Sequence, residues 1–375
     1  MGSVIIKIKL FLSLAVLVLI FLESYFTFLD HGARPTSSPF LRQRKNSIQY
    51  KNGQKKNFDS QLKKIDQNIL NLKQERYSFY CEYDPDYIFL PYENFHGREF
   101  FKHNNSIIFD VRVNTDDKNR RISISNVLNN TKILKMNRLL FGGSRVFGWG
   151  LEDSETLSSN LNQIDSKYEY YNYATPGQGL QSMYSFFNKH KIEQDGFNKK
   201  QRIDFVYVFD AVHLGRLTLD FNNMHASHGP YVQLINNHIV VKDSFWTGDY
   251  VRTLFVSWMS QSIFLRHFNF FGLNNPSSKD CKLFSYLINE VEKKSLEQFP
   301  NSRFYPITFY NSSEVECINQ QSELAGHKKI INMNISEFNQ YELSKIEKYH
   351  FKYDNHPNKL GVKLMAETLN DYLKN

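Results

Sequence analysis

Residues 204–209 read Asp204-Phe205-Val206-Tyr207-Val208-Phe209, a run that is apolar after its first position. A strand covered on both faces shows such a run, whereas a strand with one face in water alternates apolar and polar residues. Strands covered on both faces occur mainly in parallel sheets whose crossover connections are helices. The run therefore predicts a buried strand of an α/β domain.

The sequence around this run alternates between strand-like and helix-like segments. Strands are predicted at residues 133–141, 168–174, 303–309 and 329–333, and helices at 154–163, 180–190, 251–271, 279–299 and 358–373. Residues 231–243, which turn at Asn236-Asn237, predict an inserted hairpin. Parallel strands joined by helices predict a three-layer α/β/α sandwich with a mainly parallel, flavodoxin-like sheet, whose site lies at the carboxyl ends of the strands.

Three segments precede this α/β domain. Residues 77–132 are rich in aromatic residues and have strand candidates at 106–113 and 121–127, which predicts a small β-rich lead-in. The polar, basic linker before it includes residues 58–72, whose apolar periodicity predicts a short amphipathic helix. The predicted organisation is therefore an N-terminal anchor, a linker, a lead-in and the main domain, at residues 1–30, 31–76, 77–132 and 133–375.

The N-terminal segment has the character of a membrane anchor. Positions 10–22 are apolar except for Ser13, and two lysines precede them. With its extension to residue 29 the segment is roughly long enough to span a bilayer, and no small-residue cleavage site follows it. The pattern favours an uncleaved anchor over a removed signal peptide. Basic residues after the segment outnumber those before it, but large domains translocate largely regardless of charge, so we expect the domain outside the cytoplasm.

The basic character of the chain belongs to the linker. Residues 31–76 contain eleven Lys or Arg and three Asp or Glu, a difference equal to the formal charge of +8 of all 375 residues. The main domain therefore has no basic excess that would indicate nucleic acid. A basic tether beside a membrane can instead lie on anionic headgroups.

The three cysteines, Cys81, Cys281 and Cys317, are too few for a disulfide framework. Cys281 and Cys317 could pair in an oxidising compartment, or all three could be ordinary thiols. None has metal-ligand spacing and the histidines do not cluster with them, so no metal and no other cofactor is predicted.

Three motifs at predicted strand ends carry the residue types of acyl-transfer chemistry. Phe141-Gly142-Gly143-Ser144 exposes a hydroxyl after two glycines, and Thr175-Pro176-Gly177-Gln178-Gly179 offers a glycine N–H that could approach an oxyanion. Each of these two is also a common loop sequence. Near the C-terminus, Tyr353-Asp354-Asn355-His356-Pro357-Asn358 places a carboxylate beside an imidazole. A catalytic base and its orienting acid require that arrangement.

The order and spacing of the motifs resemble those of the SGNH (GDSL-type) hydrolases over about residues 133–375. The first, second and last family blocks are similar to Gly142-Gly143-Ser144 with Gly148-Trp149-Gly150, to the Gly177 turn, and to Asp354-x-His356-Pro357-Asn358-x-x-Gly361. The chain departs from the family at Gly143, where the name-giving motif has Asp. It departs again at His213, where the third block has Asn.

The resemblance implies a catalytic triad in which Ser144 is the nucleophile, His356 the general base and Asp354 the acid that orients the base. It also implies an oxyanion hole formed by the N–H groups of Ser144 and Gly177, with His213 as a third donor in place of Asn.

Two further residues of the matching region have predicted roles. Arg216 could meet an anionic group of the substrate or simply pair with a nearby carboxylate. Asn358 is expected to cap the last helix.

These features predict a membrane-tethered serine esterase or acyl hydrolase that acts on a lipid or acylated glycan ester. The same triad would serve an acyltransferase of cell-envelope glycans, because the shape of the pocket selects the acceptor. A catalytically inactive envelope protein that retains the fold is the third reading: Gly143 and His213 favour it, and the intact Ser144, Asp354 and His356 weigh against it. The oligomeric state is left open.

Overall fold

The computed structural model describes residues 74–77, 80–103, 106–125, 136–220, 222–261, 276–338 and 347–374. The predicted anchor at 1–30 and almost all of the predicted linker at 31–76 lie outside the described residues. Within the described ranges, no helix combines the length and the apolar character that crossing a bilayer requires.

Five short strands form the described N-terminal part, namely β1 (Gln74–Tyr77), β2 (Cys81–Asp84), β3 (Ile88–Pro91), β4 (His96–His103) and β5 (Ser106–Asn114). The strands β1, β4 and β5 make an antiparallel sheet in that order, and β2 pairs with β3 as a hairpin. The strand predicted at 106–113 is confirmed as β5.

The strand predicted at 121–127 is wrong, because residues 122–125 form no strand. Arg121 makes isolated bridges to Thr115 and Asn172. Its guanidinium is buried and donates to Asp153 at 2.7 Å and to the Leu151 carbonyl at 2.7 Å. Residues 121–125 are therefore held in place by the buried guanidinium of Arg121, and not by the ladder of backbone hydrogen bonds that a strand would form.

The remaining strands are β6 (Met136–Phe141), β7 (Tyr168–Asn172), β8 (Ile203–Val208), β9 (Tyr231–Ile235), β10 (His238–Lys242), β11 (Arg303–Thr308) and β12 (Ile331–Asn332). Five of them form one parallel sheet in the order β12-β11-β8-β6-β7, and β9 and β10 are the predicted hairpin. Counted along the chain, the order is that of doubly wound flavodoxin-like sheets. The predicted parallel α/β sheet is therefore confirmed, with β8 at its centre.

Ten helices are described: α1 (Ser144–Phe147), α2 (Leu157–Ile164), α3 (Leu180–Asn188), α4 (Lys191–Gln194), α5 (Ala211–Thr218), α6 (Phe245–Gly248), α7 (Tyr250–Gln261), α8 (Ser278–Gln298), α9 (Ser313–Ala325) and α10 (Lys359–Lys374). The sequence did not predict α5 and α9, nor the one-turn helices α1, α4 and α6. The helix predicted at 251–271 is α7, which is described as far as Gln261.

Helices cover both faces of the parallel sheet. Successive strand residues point to opposite faces, so Leu140 and Val206 pack in one apolar cluster with α2 and α10. Their neighbours Leu139 and Phe205 pack in a second cluster with α3 and α8. The sheet is thus the middle of three layers.

A disulfide joins the helices α8 and α9 on one face of the sheet. It links Cys281 to Cys317, whose Cα atoms are 5.8 Å apart. Cys81 is buried in β2 and is not part of this bond. The sequence left open whether Cys281 and Cys317 pair or all three cysteines are thiols, and the structure contains the Cys281–Cys317 bond.

The sheet order defines where a site would form. The chain leaves β6 for the edge strand β7 and then returns past β6 to β8, so the winding direction reverses between β6 and β8. Ligands of such folds bind outside the carboxyl ends of the strands at this reversal. Ser144 follows β6 there, and Asp210 and His213 follow β8.

Candidate active site

Ser144 is the first residue of the one-turn helix α1, immediately after Gly142 and Gly143. The backbone N–H groups of the first helical turn have no acceptor within their own helix. The N–H of Ser144 is therefore placed to bind an external acceptor, while the turn presents the hydroxyl at the carboxyl end of β6.

The three residues predicted as a triad lie together. The Nε2 atom of His356 is 2.7 Å from the Oγ atom of Ser144, and its Nδ1 atom hydrogen-bonds to Oδ1 of Asp354. The same carboxylate oxygen accepts the backbone N–H of His356 at 3.0 Å. Because a carboxylate only accepts, Nδ1 carries the ring proton and Nε2 is left to accept the Ser144 hydroxyl.

The loop that carries Asp354 and His356 is closed by backbone hydrogen bonds. The N–H of Phe351 donates to the carbonyl of His356 at 2.9 Å. The side chain of Asn358 then accepts the N–H groups of Leu360 and Gly361 at 2.9 and 3.1 Å, so the predicted helix cap is confirmed. Asp354 is buried, whereas the side chain of His356 keeps 22% of its exposure. One side of the imidazole therefore stays open to a substrate.

Trp149, for which the sequence predicts no role, covers another side of the imidazole. Its ring is stacked on His356, with centroids 5.5 Å apart and an angle of 23° between the planes. The indole restricts the tilt of the ring that faces Ser144.

His213 is buried behind α1 and is neutral. Its Nδ1 atom accepts the backbone N–H of Asp210 at 3.2 Å and lies 2.7 Å from the hydroxyl of Tyr207. An N–H can only donate, so Nδ1 is an acceptor and the ring proton is on Nε2. Burial, followed by the positive charge of Arg216, lowers the pKa of His213 to about 3. His213 thus presents a single, fixed Nε2–H donor.

This donor points towards Gly143. A β-carbon on residue 143 would lie 2.9 Å from Nε2 of His213 and 3.0 Å from Nη1 of Arg216. The imidazole is held through Nδ1, so it has little freedom to withdraw. Ser144, His213 and Arg216 also line one small cavity of about 10 Å³, which is enough for about one water molecule.

Arg216 supports the turn that contains Gly177. It is buried, and its Nη1 donates to the carbonyl of Gln178 at 2.6 Å. Burial lowers the pKa of Arg216, and the charges of Asp210 and Asp220 oppose that effect. The arginine therefore donates to a backbone carbonyl and is under the influence of nearby carboxylate charges, whereas a contact with substrate stays a prediction.

Gly177 occupies a position that only glycine fits well. Its φ of +87° is in the left-handed region, and an added β-carbon would lie 2.6 Å from the ring of Phe89 on β3. It does not line the cavity beside Ser144. Its turn is linked to that cavity by Arg216, a lining residue that donates to the carbonyl of Gln178.

The sequence reading missed several residues that shape the site. His225 hydrogen-bonds to the backbone of Gly177, and burial followed by the charge of Arg216 lowers its pKa to about 3. Arg145 pairs with Asp210 at 2.8 Å. Its position directly after Ser144 was the one available signal. No group of three or more His, Cys, Asp or Glu side chains that could hold a metal ion lies in the described part of the chain.

No family model and no curated protein matches the chain. Solved structures do match, among them a protein described as lipolytic and of the G-D-S-L family, from Desulfitobacterium hafniense DCB-2. It is 14% identical, the match covers 63% of this chain and 99% of that one, and the TM-score is 0.33.

Two other solved structures are similar at the same level. A member of the lipolytic protein G-D-S-L family from Veillonella parvula DSM 2008 is 12% identical over 63% of this chain and 97% of that one, with a TM-score of 0.32. An acetyl xylan esterase from the rumen bacterium Butyrivibrio proteoclasticus is 11% identical over 73% of this chain and 67% of that one, with a TM-score of 0.34.

Proposed function

We propose that this protein is a serine esterase in which Ser144, His356 and Asp354 act as a catalytic triad. The observation that carries the proposal is the continuous hydrogen-bond chain from the Ser144 hydroxyl to Nε2 of His356, and from Nδ1 of His356 to Asp354. Each contact has the direction that a general base and its orienting acid need.

The reaction would proceed through an acyl-enzyme. Oγ of Ser144 attacks the ester carbonyl while Nε2 of His356 takes the hydroxyl proton, and Asp354 stabilises the imidazolium. The bond to the leaving alcohol then breaks, and the alcohol receives the proton from His356. A water molecule, activated in the same way, attacks the acyl-enzyme and releases the acid and the free Ser144.

The negative oxygen of the tetrahedral intermediate would be held by N–H donors around Ser144. The backbone N–H of Ser144 at the start of α1 and the Nε2–H of His213 support this assignment. The N–H of Gly177, on the turn tied down by Arg216, is the third proposed donor. Loss of one such donor costs about 10²- to 10³-fold in kcat in comparable sites.

We also propose that the domain is tethered outside the cytoplasm by the apolar segment at residues 1–30, next to a lipid or acylated glycan ester. The bond between Cys281 and Cys317 supports this location, because disulfides persist mainly in oxidising compartments. The apolar run and the basic tether support attachment to a membrane.

The experiment is turnover of p-nitrophenyl acetate by the full chain in mild detergent, beside Ser144→Ala. Ser313→Ala, at the exposed start of α9, is the matched control for loss of a hydroxyl. We expect the control to hydrolyse the ester at the rate of the wild type and Ser144→Ala to be at the buffer rate. Equal rates for the wild type and Ser144→Ala would contradict the proposal. Addition of a sugar acceptor, with a search for acylated sugar, separates hydrolysis from acyl transfer.

A further inference from the structure

The N-terminal sheet carries a carboxyl group into the interior beside the catalytic loop. Glu99 lies on β4 and has 0% exposure. A Glu is almost never fully buried unless it has partners. One carboxyl oxygen of Glu99 accepts the backbone N–H of Gly150 at 2.7 Å, and the other accepts the hydroxyl of Tyr80 at 3.1 Å.

The contact with Gly150 connects Glu99 to the imidazole of the site. Gly150 directly follows Trp149, whose ring is stacked on His356. Glu99 therefore fixes the backbone of the turn that carries the indole, and the indole in turn lies against the ring that faces Ser144. Removal of the carboxyl group would release this turn.

Glu99 is also within electrostatic reach of the acid of the triad. Burial raises the pKa of Glu99 to about 7, and the charge of Asp354 adds to the increase. The Gly150 N–H, the charge of Arg121 and the Tyr80 hydroxyl act in the opposite direction. Asp354 is thus close enough for the two carboxyl groups to sense each other's charge.

Aromatic contacts hold the same sheet against the loop of Asp354 and His356. The ring of Phe109 on β5 lies 5.2 Å from that of Phe351, and the ring of His103 on β4 is stacked 4.0 Å from that of Tyr353. The sheet is therefore packed on the catalytic loop from both of its longer strands.

We infer that Glu99 is a positioning residue of the active site, which holds the Gly150 turn in place and acts on Asp354 through its charge. The inference rests on the proposed function of Ser144, Asp354 and His356. It gives the N-terminal sheet a part in catalysis, although it precedes the parallel sheet that supplies the triad.

The charge of Glu99 gives this role a pH signature. An ionised Glu99 favours the imidazolium that forms on His356 in the transition state, because it adds to the field of Asp354. Among the described residues, the titratable and charged groups that act most strongly on the pKa of Glu99 are Tyr80, Arg121 and Asp354. Since the pKa of Glu99 is about 7, its benefit is present above pH 7 and is lost as the pH falls through that value.

The first test compares the pH profile of kcat/KM of the wild type with that of Glu99→Gln. Gln keeps the size and an acceptor for Gly150 but never ionises. We expect the two proteins to differ little at pH 6, and the wild type to be roughly tenfold faster at pH 8.5. Asp110→Asn on β5, whose carboxylate pairs with Arg98 at the surface, is the matched control and should follow the wild type at every pH. A ratio of wild type to Glu99→Gln that is the same at all pH values would overturn the role of the charge.

The second test needs no turnover. In protein labelled with ¹³C at the Glu carboxyl carbons, one resonance should titrate near pH 7 and be absent in Glu99→Gln. The substitution Asp354→Asn removes the neighbouring charge, so it should shift this midpoint to lower pH. An unchanged midpoint would overturn the inference, even if Glu99→Gln failed to fold.

The two tests separate the two proposals. If the wild type neither turns over esters nor reacts at Ser144 with a fluorophosphonate, the proposed esterase function fails, and the coupling of Glu99 to Asp354 is still measured by its resonance. If the wild type is active but Asp354→Asn leaves the Glu99 midpoint in place, the esterase proposal stands and the inference about Glu99 fails.

Discussion

The Nε2 atom of His213 lies 2.9 Å from the place that a β-carbon on Gly143 would occupy. These are the two positions at which the chain departs from the SGNH motifs. An Asp at position 143, as in the name-giving motif, would meet both this imidazole and the guanidinium of Arg216. Gly143 and His213 therefore fit together. Because residue 143 has no side chain, the turn that precedes α1 leaves room for the imidazole of His213 on α5, which is a larger donor than an Asn side chain.

This pairing predicts that Gly143→Ala destabilises the protein by about 1–3 kcal/mol, because the added methyl group overpacks a buried contact. In the background of His213→Ala the same change should cost less, since the imidazole is gone. Urea unfolding of the two single variants and the double variant gives the coupling free energy. Strictly additive losses would show that the two positions do not share this space.

His213 is also expected to contribute to the rate. His213→Ala removes an oxyanion donor, so we expect kcat to fall about 10²- to 10³-fold while KM changes little. His213→Asn should retain more activity, because an amide N–H can replace the Nε2–H. Tyr207→Phe leaves the imidazole but removes the hydroxyl at Nδ1, and a smaller loss is expected. Steady-state kinetics on p-nitrophenyl acetate check all three, and a fully active His213→Ala would exclude His213 from the oxyanion hole.

The sequence predicts the parallel sheet because the apolar run of β8 is a local signal. The Asp354 and His356 pair is visible for the same reason, since the two residues are separated by one position. The helix α9 was missed because only Val315, Ile318 and Ser322 are buried in it, which leaves almost no apolar period.

Contacts between distant parts of the chain could not be predicted in this way. The hydrogen bond from Gly150 to Glu99 and the fit of His213 against Gly143 depend on how separate elements meet in space. Neither Glu99 nor Gly143 belongs to a motif from whose spacing these two contacts could be predicted. The strand predicted at 121–127 failed for a related reason, because its first residue, Arg121, binds Asp153 in the interior.

The disulfide should matter for stability and little for catalysis. Cys281 and Cys317 are separated by 36 positions, and a closed loop of this length stabilises the folded state by about 4 kcal/mol in the chain-entropy estimate. We expect the double change to Ser to lower the urea midpoint strongly and to leave kcat at 25 °C close to that of the wild type. Cys81→Ser, a change at the buried cysteine outside the bond, controls for loss of a thiol. A large fall in kcat of the folded double variant would contradict the prediction that this disulfide does not contribute to catalysis.

His213 and His225, whose pKa values are both lowered, predict a loss of stability in acid. The pKa of His213 is about 3 in the folded protein against an ordinary value of 6.5. Between these values the unfolded chain binds a proton that the folded protein excludes, so the stabilising contribution is full above pH 6.5 and is lost as the pH falls towards 3. The slope is at most about 1.4 kcal/mol per pH unit for each histidine.

Urea unfolding of the wild type and of His213→Asn between pH 4.5 and 6.5 checks this. The variant should show a shallower dependence of the free energy of unfolding on pH, since Asn does not titrate. His225, whose pKa is also lowered to about 3, offers a matched comparison, and His225→Asn should reduce the slope by a similar amount. Identical slopes for the wild type and His213→Asn would mean that His213 is protonated in the folded protein, and an imidazolium in that place would have to displace the Asp210 N–H from Nδ1.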